Sequence, residues 1–118
     1  MDFKANNPLY LQVVTDIKKQ IVTGKLPPGT RLPSTRDLAA QYKINPNTAV
    51  RVYNQLEQDG ITFIRRGIGT FVTEQEDIIM EFKSEMAESL IRELVEELKS
   101  LGVKKEDVIE IVERSYSC

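Results

Sequence analysis

The polar and basic side chains between residues 34 and 70 offer the most specific chemistry in this sequence. Asn47, Thr48 and Arg51 lie within five positions of the stretch "NPNTAVRVY". Asn can pair with adenine, Arg can pair with guanine, and Thr can bind phosphate or contact a thymine methyl group. These residue types therefore suit contact with nucleic acid. An ordinary solvated helix face with a good cap would show the same types.

Ser34, Thr35 and Arg36 form a second group of donors in "PSTRDLA". Hydroxyl and guanidinium groups commonly hold DNA phosphates. Ser34 also suits the cap of a helix. Arg36 would lie near a helix N-terminus, where a cation opposes the helix dipole. We expect an offsetting partner for Arg36, either a phosphate or an acidic neighbour.

The stretch "RRGIGTF" places two arginines beside a glycine-rich turn. Such a basic tip can reach phosphates or an adjoining minor groove. A plain glycine turn between solvated arginines is the alternative. The candidate DNA-binding residues are Ser34, Thr35, Arg36, Asn45, Asn47, Thr48, Arg51, Arg65, Arg66, Gly67, Gly69 and Thr70.

Several chemistries lack the residues that they need. The sequence has no histidine, and its one cysteine is Cys118, so it offers no His-based catalytic set and no zinc site. The lone G-x-G lacks the rest of a nucleotide-binding motif. We expect no enzyme activity, no metal and no cofactor. Neither a long apolar run nor a signal-peptide pattern is present, so we expect a cytoplasmic protein without a membrane partner.

Hydrophobic spacing and caps predict three helices followed by a hairpin. The predicted helices span residues 8–23, 33–42 and 45–60, and the first has Asn7 as its cap and Pro8 at its first position. Asn45 and Pro46 are expected to begin the third helix, which we call the recognition helix. Period-two runs around Gly67 and Gly69 predict the hairpin, and a short extended piece is expected at 30–32. This order predicts a winged helix-turn-helix domain over residues 1–73.

Residues 74–118 form a second region with a different charge. They contain six Lys and Arg against thirteen Asp and Glu, whereas residues 1–73 contain ten against five. This asymmetry suggests a nucleic-acid-binding first half, although variation between solvated faces could also produce it. Apolar residues at helical spacing, broken at Gly102, predict an α-helical hairpin. That hairpin could pack on its own domain, but its long stripe favours dimerisation. The predicted dimer interface comprises Phe82, Met86, Leu90, Leu94, Leu98, Val108 and Val112.

The stretch from "LPPGTRLPSTRDLA" through "NPNTAVRVYNQLEQDG" to "RRGIGTFV" resembles the DNA-binding domain of the GntR family of bacterial transcription regulators. The short two-helix tail resembles the YtrA-like branch. By resemblance, Arg36, Asn47, Thr48 and Arg66 match positions that contact DNA in the family. Many members carry arginine where this sequence has Pro46 and Val50.

The resemblance implies a fold that is mainly α with a small β-wing, and a winged helix-turn-helix domain followed by a helical hairpin. It also implies a homodimeric repressor of its own operon, often beside ABC transporter genes. Double-stranded DNA with an inverted-repeat operator would be its partner. A small-molecule effector could bind at the dimer interface or beside the wing, or there could be none. The alternative is a winged-helix protein-interaction module without a specific DNA target.

Overall fold

The computed structural model describes residues 8–117, which form five helices and two strands. In chain order these are α1 (Leu9–Val22), α2 (Thr35–Tyr42), α3 (Pro46–Gln58), β1 (Thr62–Arg65), β2 (Gly69–Val72), α4 (Glu76–Ser100) and α5 (Lys105–Ser117). The predicted fold class is confirmed: a helix-turn-helix, a two-stranded wing and two C-terminal helices follow one another. No helix in this described part of the chain is long and apolar enough to span a membrane.

The start of α1 differs from the sequence prediction. Asn7, the predicted cap, lies outside the described residues. Pro8 has an extended ψ of 137° and is itself the N-cap, so its predicted place as the first helical residue is wrong. Its carbonyl oxygen accepts hydrogen bonds from the N–H groups of Leu11 and Gln12. The Pro8 carbonyl therefore accepts the first bonds of the helical series, although Pro8 itself is extended.

The turn between α2 and α3 is built by local side-chain chemistry. The Ser34 hydroxyl caps α2 by accepting a bond from the Asp37 N–H at 3.1 Å, which confirms it as the cap. Lys43 ends α2 in a left-handed conformation with φ 55°. Asn45 then caps α3, and Pro46 occupies its first helical position. Asn-Pro therefore begins a helix here, because proline's fixed φ suits that position.

The wing is an antiparallel pair of short strands with a third segment at its edge. β1 and β2 pair from Thr62 opposite Val72 to Arg65 opposite Gly69. The Leu32 N–H donates to the Thr70 carbonyl at 2.8 Å, and Arg31 forms a bridge with Phe71. The extended piece predicted at 30–32 is therefore confirmed, and it ties the wing to the segment that leads into α2.

The hydrophobic core lies between α3 and its neighbours. Ala49, Val52 and Leu56 on α3 are fully buried, and this helix contacts α1, α2 and β1. The rest of the buried apolar set comprises Val13, Val14, Ile17, Ile21, Leu32, Leu38, Ala39, Tyr53, Ile61, Val72 and Ile79. Since one face of α3 is buried, its opposite face is available at the surface.

The chain divides into two compact units at residues 83 and 84, inside α4. The first unit therefore extends ten residues past the expected boundary at 73. Ile79 belongs to its core, and Phe82 packs against that core with the Lys18 ammonium 4.9 Å from its ring. Phe82, expected in the dimer interface, thus contacts its own winged domain in the single chain.

The second unit contains the rest of α4 together with α5. The two helices are joined through Gly102, which adopts φ 76°. None of the described residues of α5 is buried. The apolar residues of α5, and those of α4 beyond residue 83, are largely exposed, as at Leu90 (67%) and Leu94 (50%). The sequence stripe is therefore present on these helices, with Leu90, Leu94 and Val112 exposed and Met86, Leu98 and Val108 half-buried.

The burial difference between two valines of α3 predicts a matched pair of stability effects. Val52 is fully buried and Val50 is 45% exposed. We expect Val52→Ala to lower the unfolding free energy by about 2 kcal/mol through lost burial and a cavity. Val50→Ala should change it by less than about 0.5 kcal/mol. Urea unfolding followed by circular dichroism measures both, and equal losses would contradict the described packing of α3.

Candidate nucleic-acid interface

The exposed face of α3 presents the polar residues that the sequence singled out. Asn47 and Arg51 are exposed, Thr48 is half-buried and Val50 is exposed between them. Asn45 directs its side-chain oxygen to the Asn47 N–H at 2.8 Å. That oxygen is therefore occupied by capping, which leaves the amide NH₂ group of Asn45 as its outward donor.

Arg51 is held by a contact that no pattern in the sequence indicates. Its guanidinium lies over the ring of Tyr10 from α1, with 3.8 Å between the guanidinium carbon and the ring centroid. Tyr10 is half-buried and packs against the core. Stacking on an aromatic face is a favourable environment for guanidinium, so the position of Arg51 depends on α1 as well as on its own helix.

The N-terminus of α2 keeps donors that face solvent. The Ser34 oxygen accepts the capping bond, which leaves the hydroxyl proton of Ser34 available to another acceptor. Thr35 is half-buried beside it, and Arg36 is exposed. Within the described residues, the Arg36 side chain has no ion pair or hydrogen bond. The salt-bridge alternative for Arg36 therefore has no support in the structure.

A buried phenol fixes this helix end relative to α3. The Tyr53 hydroxyl on α3 donates to the Pro33 carbonyl at 2.5 Å, one residue before the Ser34 cap. Burial, with the nearby Asp37 charge, raises the pKa of Tyr53 to about 12. The phenol therefore remains a protonated donor at neutral pH. It links the two helices that carry the first two groups of candidate residues.

The wing separates the two arginines that the sequence placed together. The Phe63 and Phe71 rings stack at 5.7 Å. The Arg65 guanidinium lies over them, at 5.4 Å from the Phe71 centroid. Arg66 lies in the turn, exposed, and its side chain has no ion-pair or hydrogen-bond partner among residues 8–117. Arg66 is thus the free cation of the tip, whereas Arg65 is held on the sheet.

Arg31 organises the wing tip, although no pattern in the sequence marks it as a candidate site residue. Its Nη2 donates to the Ile68 carbonyl at 2.5 Å, across 37 residues of sequence. A Cβ added at Gly69 would lie 3.0 Å from the Arg31 Nε, so Gly69 leaves room for the guanidinium. Gly67 adopts φ 78°, a conformation that favours glycine. Thr70 is half-buried, and its carbonyl accepts the hydrogen bond from the Leu32 N–H.

The structure therefore brings the candidate residues into three ordered groups on one core: the α2 end, the exposed face of α3 and the wing tip. Arginines in these groups, including Arg31, are exposed. The arrangement consists of hydrogen-bond donors and positive charges on a helix-turn-helix with a β-wing. This combination of fold and site is that of winged helix-turn-helix DNA-binding proteins.

Comparison with known proteins identifies the family. The family model "Bacterial regulatory proteins, gntR family" matches residues 9–72, which is more than half of the chain. The chain belongs to the GntR family of transcriptional regulators, a family of regulators and not of enzymes. The family resemblance noted in the sequence is thereby confirmed.

Relatives that match nearly the whole chain support this assignment. The HTH-type transcriptional regulator YhcF of Bacillus subtilis is 40% identical over 92% of this chain and 89% of its own. The HTH-type transcriptional repressor YtrA of the same organism is 32% identical over 93% and 85%. The structure of a GntR family regulator from Listeria monocytogenes has a TM-score of 0.88 at 35% identity, covering 95% of this chain and 98% of that one.

The contact between Arg31 and the wing tip predicts a local effect on backbone dynamics. In Arg31→Ala the Ile68 carbonyl loses its donor, so the turn closed by the Ile68 N–H and the Arg65 carbonyl should open more often. We expect faster amide hydrogen exchange at Ile68, measured by NMR, with unchanged exchange in α1. Arg66→Ala is the matched control and should leave the Ile68 exchange rate unchanged. Equal rates in all three proteins would show that Arg31 does not order the tip.

Proposed function

We propose that this GntR-family regulator is a dimeric, sequence-specific DNA-binding repressor that acts on its own operon in the cytoplasm. The observation that carries the proposal is the exposed face of α3, which is polar, begins at a capped N-terminus and has no acidic residue from Asn45 to Leu56. Similarity to the YtrA-like branch supports the repressor role. It also makes ABC transporter genes the expected neighbours of its gene.

Base reading is assigned to the first two turns of α3. The N-terminal residues of a recognition helix contact base edges in the major groove. Asn47 and Arg51 lie four residues apart and so share one face of the helix. Arg51 can pair with guanine and Asn47 with adenine, while Thr48 contacts either a base or a phosphate. The Asn45 amide NH₂ adds a donor at the same helix end.

Phosphate binding is assigned to the other two groups. Arg36 is exposed without a partner in the described chain, and the Ser34 and Thr35 hydroxyls lie beside it at the α2 end. At the wing, Arg66 reaches a phosphate or the adjoining minor groove. Gly67, Gly69 and Thr70 let the backbone approach closely, and Arg65 adds charge from its place over the aromatic pair. These contacts set the position of the protein without reading sequence.

Loss of a phosphate contact predicts a uniform loss of affinity. We expect Arg36→Ala to weaken binding to selected and random duplexes by the same factor. It should also lower the slope of log K against log salt by about one unit. Fluorescence anisotropy titrations at several salt concentrations measure both quantities. Arg92→Ala in the acidic tail is the matched control, and a larger loss for selected DNA than for random DNA would refute the phosphate role.

Dimerisation is assigned to the apolar stripe of the second unit. Leu90, Leu94 and Val112 are each at least 40% exposed in the single chain, with Met86, Leu98 and Val108 half-buried on the same two helices. Monomeric proteins rarely expose large contiguous apolar patches. A second copy of the chain can cover the stripe, and a symmetric dimer matches an inverted-repeat operator.

A charge placed in this stripe should separate the subunits. We expect Leu94→Glu to shift the protein to monomers, because burying an unpaired carboxylate is unfavourable. Sedimentation velocity measures the shift. Arg92→Glu is the control, since Arg92 is exposed and lies two positions from both Leu90 and Leu94, which places it on the other side of the helix, and it should remain dimeric. An unchanged sedimentation coefficient for Leu94→Glu would place the interface elsewhere.

A further inference from the structure

Tyr10 and Arg51 form a contact between the first helix and the recognition helix. Their separation of 3.8 Å, measured from the guanidinium carbon to the ring centroid, is the shortest of the four cation–aromatic contacts described. Tyr10 packs against the core and is half-buried. The ring is therefore a fixed platform beneath a side chain that is otherwise exposed.

A platform of this kind restricts the guanidinium without using its donors. Arginine has many rotamers, and ordering them opposes binding. Stacking occupies the flat face of the guanidinium and leaves the N–H groups at its edge free. Within the described residues Arg51 has no ion pair or side-chain hydrogen bond. Its bidentate fork therefore stays available for the acceptors of a base edge.

We propose that Tyr10 is a positioning residue for sequence readout, and that it acts by holding the Arg51 guanidinium ready to pair with a guanine. The proposal rests on the proposed DNA-binding function. It adds that a residue of α1, outside the helix-turn-helix, sets preference at one base pair of each half-site. That base pair is the one that Arg51 reads, and Tyr10 itself contacts no base.

The choice of variants separates positioning from a general structural role. Tyr10→Phe keeps the ring face and removes the hydroxyl, so it should behave as the wild type. Tyr10→Leu keeps an apolar side chain against the core and removes the platform. Arg51→Ala removes the guanidinium itself. Thermal unfolding of each variant identifies any loss of folded protein before binding is compared.

The experiment begins with selection from randomised duplexes by the wild-type full chain. The base pair whose preference disappears in Arg51→Ala is then identified. Next, affinities are measured for two duplexes that differ only there. Tyr10→Leu should lower the affinity ratio of these duplexes by about two- to fivefold, as expected for an exposed cation–aromatic contact. Tyr10→Phe should leave the ratio unchanged, and affinity for random DNA should be the same for all the Tyr10 variants.

A double-variant measurement keeps the test decisive if Tyr10→Leu is less stable than the wild type. Once Arg51 is alanine, adding Tyr10→Leu should not change the ratio further, because the platform has nothing to position. An unchanged ratio in Tyr10→Leu alone, or an equal effect of Tyr10→Leu with and without Arg51, overturns the positioning role. Failure of the wild type to select any sequence overturns the proposed function itself. The two failures are therefore distinguishable.

Discussion

Ala49, Val52 and Leu56 lie on one face of α3, and none of the three exposes surface to solvent. Because this face contacts α1, α2 and β1, α3 cannot rotate about its axis without moving polar groups into the core. Burying such groups without partners is strongly unfavourable. The packing of α3 therefore determines which residues face outward. The outward direction of Asn47, Thr48 and Arg51 follows from it.

The arginines around this face are of two kinds: those that a contact within the protein holds in place, and those that have no such contact. Arg51 and Arg65 are held on aromatic rings, and Arg31 is tied to the wing-tip backbone. Arg36 and Arg66 have no side-chain partner in the part of the chain that the structure describes. An ordered cation suits a contact whose geometry must be accurate, whereas a free one suits a phosphate, which accepts donors from many directions. The two kinds of arginine therefore fit different proposed roles.

Local patterns in the sequence were sufficient to predict the helix-turn-helix, its caps and the wing. Ser34 and Asn45-Pro46 act on neighbouring backbone groups, so their roles can be read from adjacent residues. The contacts of Tyr10 and Arg31 could not be predicted, because each side chain contacts a residue distant in sequence and no local pattern indicates that residue. Phe82 was placed in the tail because it continues the apolar step of α4. The helix itself runs across the division between the two units. Its periodicity therefore could not show that Phe82 packs against the core of the first unit.

We propose that two copies of this chain place two recognition helices on one DNA duplex. Hydroxyl-radical footprinting of the wild-type protein, on a duplex that it selects, tests this claim most directly. We expect two protected segments related by inverted symmetry, with centres about 10 base pairs, or a multiple of that spacing, apart on one face of the duplex. A single protected segment, or protection spread evenly along the duplex, would contradict it.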